Sequence, residues 1–286
     1  MSDTSFQHVL PGVVLAECPL GPGWGGVDVA LTLVQGERLA VLDTGVRAYM
    51  PAALEPALDA LGRGLSDLAL IVNTHGHWDH IEGNAALKAA SGAPILCPAA
   101  DAALLDTPPD RLLHDGDELD LGGLTLQVVA TPGHSAGMAC LYEPRQRLLV
   151  VSDAVQGYGA LNAGAPLYFH SGAQYRASLD RLLRLDIATL VLGHPFDWSG
   201  PARFVHHGDD ARRFLLESIQ AAADTGQAAR AALDAAGPSD WPTLQRAFAL
   251  ALADRPGFAL DPSARLSGLV QGTLRSELRD LGVVVP

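Results

Sequence analysis

The sequence predicts an α/β fold with a helical segment appended at its C-terminal end. Strand-like apolar runs alternate with helical stretches up to about residue 200, and beyond about Val205 the composition turns helical and alanine-rich. The apolar runs also share a habit: several of them exit directly into His or Asp, which places ionisable side chains along a common rim. The boundaries drawn from these shifts are 1–204 for an α/β domain and 205–286 for the helical segment.

Taken in order, the glycine-rich stretch Gly21-Pro22-Gly23-Trp24-Gly25-Gly26 reads as a loop before the first hairpin, and Leu39-Ala40-Val41-Leu42 reads as a strand ending at Asp43. Leu68-Ala69-Leu70-Ile71-Val72 is a buried strand running into Asn73-Thr74-His75-Gly76-His77-Trp78-Asp79-His80. An alanine-rich helix is expected over Ile81–Ser91. Two strand-rich halves are expected to meet near Asp120-Leu121-Gly122-Gly123. The next strands are Leu124–Ala130, leading to Thr131-Pro132-Gly133-His134, and Arg147–Val151, leading to Ser152-Asp153. A helix over Ala173–Leu185 carries Tyr175, Leu179, Leu182 and Leu183 at helical spacing, and Ala188–Leu192 runs into Gly193-His194. In the tail, Phe214, Leu215, Ile219 and Ala222 form one apolar face. Ser239-Asp240 before Trp241-Pro242 has the form of an N-cap with proline in the first turn. A last helix is expected over Pro262–Leu281, with Leu266, Leu269, Val270 and Leu274 turned inward.

The densest chemical signal is His75-Gly76-His77-Trp78-Asp79-His80, three imidazoles and a carboxylate directly after a strand. Neutral imidazole and carboxylate are ligands that suit zinc, iron or manganese. One histidine at a strand exit is an ordinary turn residue, but His-x-His-x-Asp-His sets several ligand types in register. His134, Asp153 and His194 repeat the pattern at three further strand ends.

The order His-x-His-x-Asp-His, Thr-Pro-Gly-His-Ser, Ser-Asp and Gly-His resembles the metallo-β-lactamase superfamily over roughly residues 10 to 200. The resemblance implies an αββα four-layer sandwich with a dinuclear metal centre at the rim between two sheets. It implies that His75, His77 and His134 hold a first metal, that Asp79, His80 and His194 hold a second, and that Asp153 bridges them. Two divalent ions are expected, with zinc favoured and iron or manganese admitted by the same donors.

The carboxylate at position 153 is similar to the glyoxalase II-like, lactonase-like and nuclease-like branches, where many β-lactamases of this fold have Cys or Ser. His77 stands where the flavodiiron branch has Glu. The implied chemistry is hydrolysis: metal coordination lowers the pKa of water from near 16 to roughly 7, and the resulting hydroxide attacks a carbonyl polarised by the same charge. Asp79 is a candidate both as ligand and as proton acceptor and donor. Tyr158 and Tyr168 are candidates for assisting the substrate oxygen, as a Tyr does in lactonase-like relatives, with core packing as the alternative. His170 is a weaker candidate for substrate contact. Asp43 is expected to buttress a metal ligand, against an ordinary turn role. Trp24 either closes over the cleft or buries itself on the sheet.

The central expectation for the substrate is a small ester, lactone or thioester. A competing reading is a mononuclear iron persulfide dioxygenase using His75, His134 and Asp153; β-lactam hydrolysis and a vestigial, non-catalytic centre are further alternatives. The C-terminal helices have three open roles: walling the cleft, making a homodimer, or bracing the outer sheet.

Composition narrows the partners. A net charge of −13 over 286 residues argues against a nucleic-acid surface, which needs clustered Lys and Arg. No apolar run approaches membrane-spanning length, so no membrane partner is expected. Cys18, Cys97 and Cys140 lack zinc-type spacing and suit free thiols in a reducing compartment. Met1–His8 has neither a basic start nor an apolar core, and the expectation is a cytoplasmic protein. His8, His114, His206 and His207 are expected at the surface with no role.

Overall fold

Alternation along the strands decides the layering. The computed structural model describes residues 6–24, 26–159, 164–196, 201–238, 240–253, 255–261 and 263–284. Strands β1 (Phe6–Leu10), β2 (Val13–Pro19), β3 (Asp28–Gln35), β4 (Leu39–Leu42), β5 (Leu68–Val72), β6 (Ile95–Pro98) and β7 (Arg111–Leu113) form the first sheet in sequence order. The second sheet runs β8 (Glu118–Asp120), β9 (Thr125–Ala130), β10 (Ala139–Glu143), β11 (Leu148–Ser152), β12 (Thr189–Leu192) and β13 (Val205–His207). Val13 and Leu15 of β2 and Leu148 and Val150 of β11 face the space between the sheets, while Val14, Ala16, Leu149 and Val151 face outward onto helices. A buried Leu contributes about 1.5–3 kcal/mol by leaving water, and Leu149→Ala would cost about 2–5 kcal/mol once its cavity is included.

Helix α1 (Met50–Ala60), the short α2 (Trp78–Ile81) and α3 (Asn84–Ser91) lie in the first half, and α4 (Gly172–Leu182) joins β11 to β12. Ala53, Leu54 and Leu58 of α1 with Leu87 of α3 cover the first sheet. Leu179 and Leu182 of α4 cover the second, together with Phe214 and Leu215 of α5 (Asp209–Ala236). The αββα sandwich is therefore complete. The remainder of α5, with α6 (Trp241–Ala253) and α7 (Gly268–Asp280), closes a separate small core around Ala229, Leu244, Phe248 and Leu274. No helix among the described residues is long and apolar enough to cross a membrane.

Several boundaries differ from the sequence reading. Gly122 and Gly123, at φ +74° and +72°, form the tight turn of the β8–β9 hairpin inside the second sheet, so the halves meet before β8. Positive φ at both central residues matches the twist of an antiparallel pair, which is why two glycines sit there. Val205–His207 is a strand paired with β12, and the tail's helices begin only at Asp209. Its alternation turns His206 inward, where it is wholly buried and stacked on Phe214 at 4.4 Å, contrary to the surface placement expected for it. His207 is exposed. The last helix starts at Gly268, capped by the Ser267 hydroxyl, rather than near residue 262, and Ser239 lies outside the described residues.

Candidate metal centre

The donor-bearing loops leave the strands at one rim of both sheets. His75, His77, Asp79 and His80 follow β5, His134 follows β9, Asp153 follows β11 and His194 follows β12. Pairing between strands β4 and β5, and between β11 and β12, is parallel, so their carboxyl ends open on the same side, where ligands of α/β sheets gather. Backbone bonds stitch the rim: Ala139 N donates to Thr74 O at 2.9 Å, and Ala30 N of the first sheet donates to Gly193 O at 2.8 Å.

Two sets of donors converge there. His75, His77 and His134 offer atoms within 4.8 Å of one another, and so do Asp79, His80 and His194. Asp153 lies between them: Oδ2 is 3.3 Å from His134 Nε2 and 3.6 Å from His194 Nε2, while Oδ1 is 3.6 Å from His80 Nε2. Asp79 Oδ2 stands 3.3 Å from His194 Nε2. A tetrahedral ion with ligands at about 2.0–2.1 Å has ligand–ligand edges of roughly 3.3 Å, the scale of these separations.

The outer ring nitrogens explain why the inner ones point inward. His80 Nδ1 donates to Asp43 Oδ2 at 2.9 Å, His134 Nδ1 to Leu167 O at 2.7 Å, and His194 Nδ1 to Asp28 O at 2.9 Å. The Thr74 hydroxyl donates to Asp43 Oδ2 at 2.8 Å, so it accepts from His75 Nδ1 at 3.1 Å. Each ring thus carries its proton outside and presents Nε2 to the centre. His77 is the exception, presenting Nδ1 at 2.8 Å from His134 Nε2. Among the described residues, His75 Nε2, His80 Nε2, His194 Nε2 and Asp153 Oδ1 are buried with no hydrogen-bond partner. Four converging orphaned atoms would be costly in an apolar pocket, and they are what a divalent cation satisfies.

A family model described as the metallo-β-lactamase superfamily matches residues 24–194. The chain belongs to the metallo-β-lactamase superfamily. A hydroxyacylglutathione hydrolase of Brucella anthropi is 36% identical over 181 residues, covering 62% of this chain and 65% of the relative. One from a Jannaschia species is 36% identical over 182 residues, covering 62% of this chain and 67% of the relative. The chain therefore spans about two thirds of the length of these curated relatives. Among solved structures, a metallo-β-lactamase family protein of Thermus thermophilus superposes with a TM-score of 0.68 at 24% identity, over 96% of this chain and 95% of that one. That fold likeness extends through the C-terminal helices.

Within this superfamily fold, charge is shared unevenly over the centre. Burial works against charge on His80, but Asp79, Asp153 and Asp43 outweigh it and lift the imidazole to about 10 in the metal-free chain. Burial and the neighbouring His134 push His77 down to about 3. Burial opposes charge on Asp79 as well, yet His80 and His194 hold its carboxyl well below the usual range. The first set is thus a nest of neutral imidazoles, and the second is a carboxylate-rich site that holds positive charge by preference.

Asp43, the expected buttress, holds φ at +63°, a left-handed conformation that Asp tolerates better than most residues. Its Oδ1 accepts from Thr74 N at 2.8 Å, and its Oδ2 takes His80, Thr74 and Ser152. Gly193 has to be glycine: a Cβ there would lie 2.2 Å from Asp153 Oδ1.

Both candidate tyrosines pack against the tail. Tyr168, wholly buried, donates its hydroxyl to Glu277 Oε1 at 2.5 Å and stacks on Tyr175. Tyr158 packs edge-on against Phe258 and lines a surface groove with Arg213 and Glu217 of α5. Both aromatic bodies are drawn under the tail, which composition alone does not reveal. Trp24 packs against Trp78 with ring centroids 5.6 Å apart, and Trp78 remains 44% exposed. His170 is exposed.

Sequence reasoning gave no role to three residues, one of which, Phe169, lies in the aromatic-rich stretch between Asp153 and His194. Asp101, buried, accepts from Gly76 N at 2.9 Å and Ser135 Oγ at 2.6 Å through Oδ2, and from Gly137 N at 2.7 Å through Oδ1. It ties the His75–His77 loop to the His134 loop. Gln156 accepts from Leu167 N at 2.9 Å and donates to Asp153 O at 3.1 Å. Phe169 packs its ring on His77 and His134 at 5.6 and 5.3 Å. None of them sits in a motif, and their signal is purely spatial.

Proposed function

We propose that this chain is a dinuclear metal-dependent hydrolase of acyl compounds, acting on a thioester in preference to other esters or lactones. The observation that carries the reading is Asp153, whose Oδ2 stands 3.3 Å from a donor of one histidine set and 3.6 Å from a donor of the other. The curated relatives named for hydrolysis of a hydroxyacyl thioester favour the thioester. When bound, a pair of divalent cations supplies a hydroxide nucleophile at neutral pH and polarises the scissile carbonyl.

The chain's own residues do the rest. His75, His77 and His134 would hold one ion, Asp79, His80 and His194 the other, and Asp153 both. The outward Nδ1 bonds of His75, His80, His134 and His194 keep those rings in the tautomer that leaves Nε2 free. Asp79, whose Oδ2 lies 3.3 Å from His194 Nε2 among the converging donors, is the carboxylate placed to take a proton from the nucleophile and return it to the leaving thiolate. Phe169, packed on His134, and Trp78, packed on Trp24 and next to His77 in the chain, offer apolar surface for the acyl part.

Zinc is the favoured metal, since nitrogen and carboxylate donors at these separations match its tetrahedral preference, with iron or manganese admitted by the same donors. The partner is a small molecule. Three buried free cysteines suit a reducing, cytoplasmic setting. A mononuclear iron dioxygenase would leave Asp79, His80 and His194 unused, although they are buried and oriented as tightly as the first set.

The deciding experiment measures metal content together with hydrolysis of thioesters, lactones, aryl esters and a β-lactam, beside a His77→Ala control. Two equivalents of metal and thioester cleavage lost in the control are expected. One iron per chain with oxygen uptake on a persulfide would overturn the reading.

A further inference from the structure

The Leu167 carbonyl, which holds His134 Nδ1, belongs to a strap without regular secondary structure, residues 164–171. On its inner side the strap meets the metal-site loop: Phe169 N donates to His134 O and His170 N to Gly133 O, both at 3.0 Å, and the Phe169 ring lies on His77 and His134. On its outer side it is laced to α7. The Thr273 hydroxyl donates to Pro166 O at 3.0 Å and accepts from Tyr168 N at 3.3 Å. Glu277 takes the Tyr168 hydroxyl while paired with Arg176, Arg279 donates to Phe169 O and His170 O, and Asp280 accepts from Ser171 Oγ at 3.0 Å. Phe169 sits directly on Gly272, where a Cβ would come within 2.6 Å of the ring. Pro166, Tyr168, Phe169, His170 and Ser171 are all held by α7, and the Leu167 carbonyl is left for the histidine.

We infer that α7 is a positioning element of the metal centre, acting through the strap on His134 and His77 of the first set and not on His80 and His194 of the second. The selectivity follows from the scaffolds. His80 and His194 are oriented by Asp43, just after β4, and by Asp28 O of β3, neither of which is hydrogen-bonded to α7 or the strap among the described residues, whereas His134 takes its orientation from the strap. This places the tail helix in a role other than cleft wall, dimer contact or brace, and it rests on reading these histidines as metal ligands.

The test is stepwise zinc affinity by chelator competition in the full-length protein, with the cobalt visible spectrum as a second readout and His77→Ala marking which equivalent belongs to the first set. Thr273→Val removes both strap bonds of that hydroxyl. It is expected to weaken the first-set equivalent about tenfold, the lower end of what outer-sphere substitutions cost, and to weaken the other equivalent far less, since the strap reaches the shared Asp153 only through Gln156; Thr273→Ser restores affinity. Arg279→Met, at an exposed position, keeps the inference testable if Thr273→Val does not fold, and weakens the same equivalent. Unaltered affinity, or a parallel loss of both equivalents, overturns the inference while the two-metal reading stands. A parent protein that binds no metal at these histidines removes that reading first, and the inference with it.

Discussion

Asp43 and His80 are 37 residues apart in the chain and 2.9 Å apart in the fold, carboxylate Oδ2 to imidazole Nδ1. The same oxygen accepts from Thr74 and Ser152, so one buried carboxylate orients His80 of the second candidate set and, through the Thr74 hydroxyl, His75 of the first.

Asp43→Asn should therefore cost more than its small change in shape suggests. An amide presents a donor on one side, and if that side faces His80 Nδ1 the ring must move its proton to Nε2, where the metal belongs. Metal affinity is expected to fall about 10–100-fold, read by chelator competition. Wild-type affinity in the variant would contradict the tautomer argument.

Asp101→Ala strips acceptors from Gly76 N, Ser135 Oγ and Gly137 N at once. Buried amides left without partners cost about 1–3 kcal/mol each, so a drop in Tm of roughly 5–15 °C is expected by calorimetry. First-set metal affinity should fall with it. A Tm within a degree of the parent would show that water replaces the carboxylate.

Gly193→Ala drives a methyl into Asp153 Oδ1. Displacing that carboxylate by about an ångström is expected to lower kcat/KM about 100-fold. The effect should appear in steady-state kinetics with the circular dichroism spectrum unchanged. Full activity would mean the carboxylate's placement is not needed.

Metal loading should release protons. With its pKa lifted to about 10, His80 is charged at pH 7 in the metal-free chain and must lose that proton to bind an ion. Affinity should rise with pH, and calorimetry in buffers of different ionisation enthalpy should show proton release for the second-set equivalent. The same shift has the opposite sign for the metal-free fold. A raised folded-state pKa gives stability that is fully present below the unfolded value near 6.5 and is lost as pH rises through about 10. Heat independent of buffer would refute the protonated His80.

Much of the candidate centre was legible because its donor types are encoded locally. His75, His77, Asp79 and His80 lie on one loop, and the exits to His134, Asp153 and His194 each follow an apolar run whose period marks a strand. The partner of Tyr168 was not legible, because a tyrosine near a motif looks the same whether its hydroxyl meets substrate or, as here, a glutamate 109 residues away. Asp101 was invisible for a related reason: it sits in a short 3-10 helix, Ala99–Leu104, with no motif, and its meaning comes from loops 25 and 34 residues distant.

By itself, then, the sequence determined the kinds of donor side chain, their order and the strands that deliver them, since these depend on periodicity and on residue chemistry within a few positions. Only the tertiary structure decided which nitrogen of each imidazole faces inward, which carboxylates brace the loops, and that α7 holds the strap beneath His134. Those features are hydrogen bonds between partners as far apart as His194 and Asp28, 166 residues away. No local pattern can encode a bond whose two ends meet only after both sheets have packed.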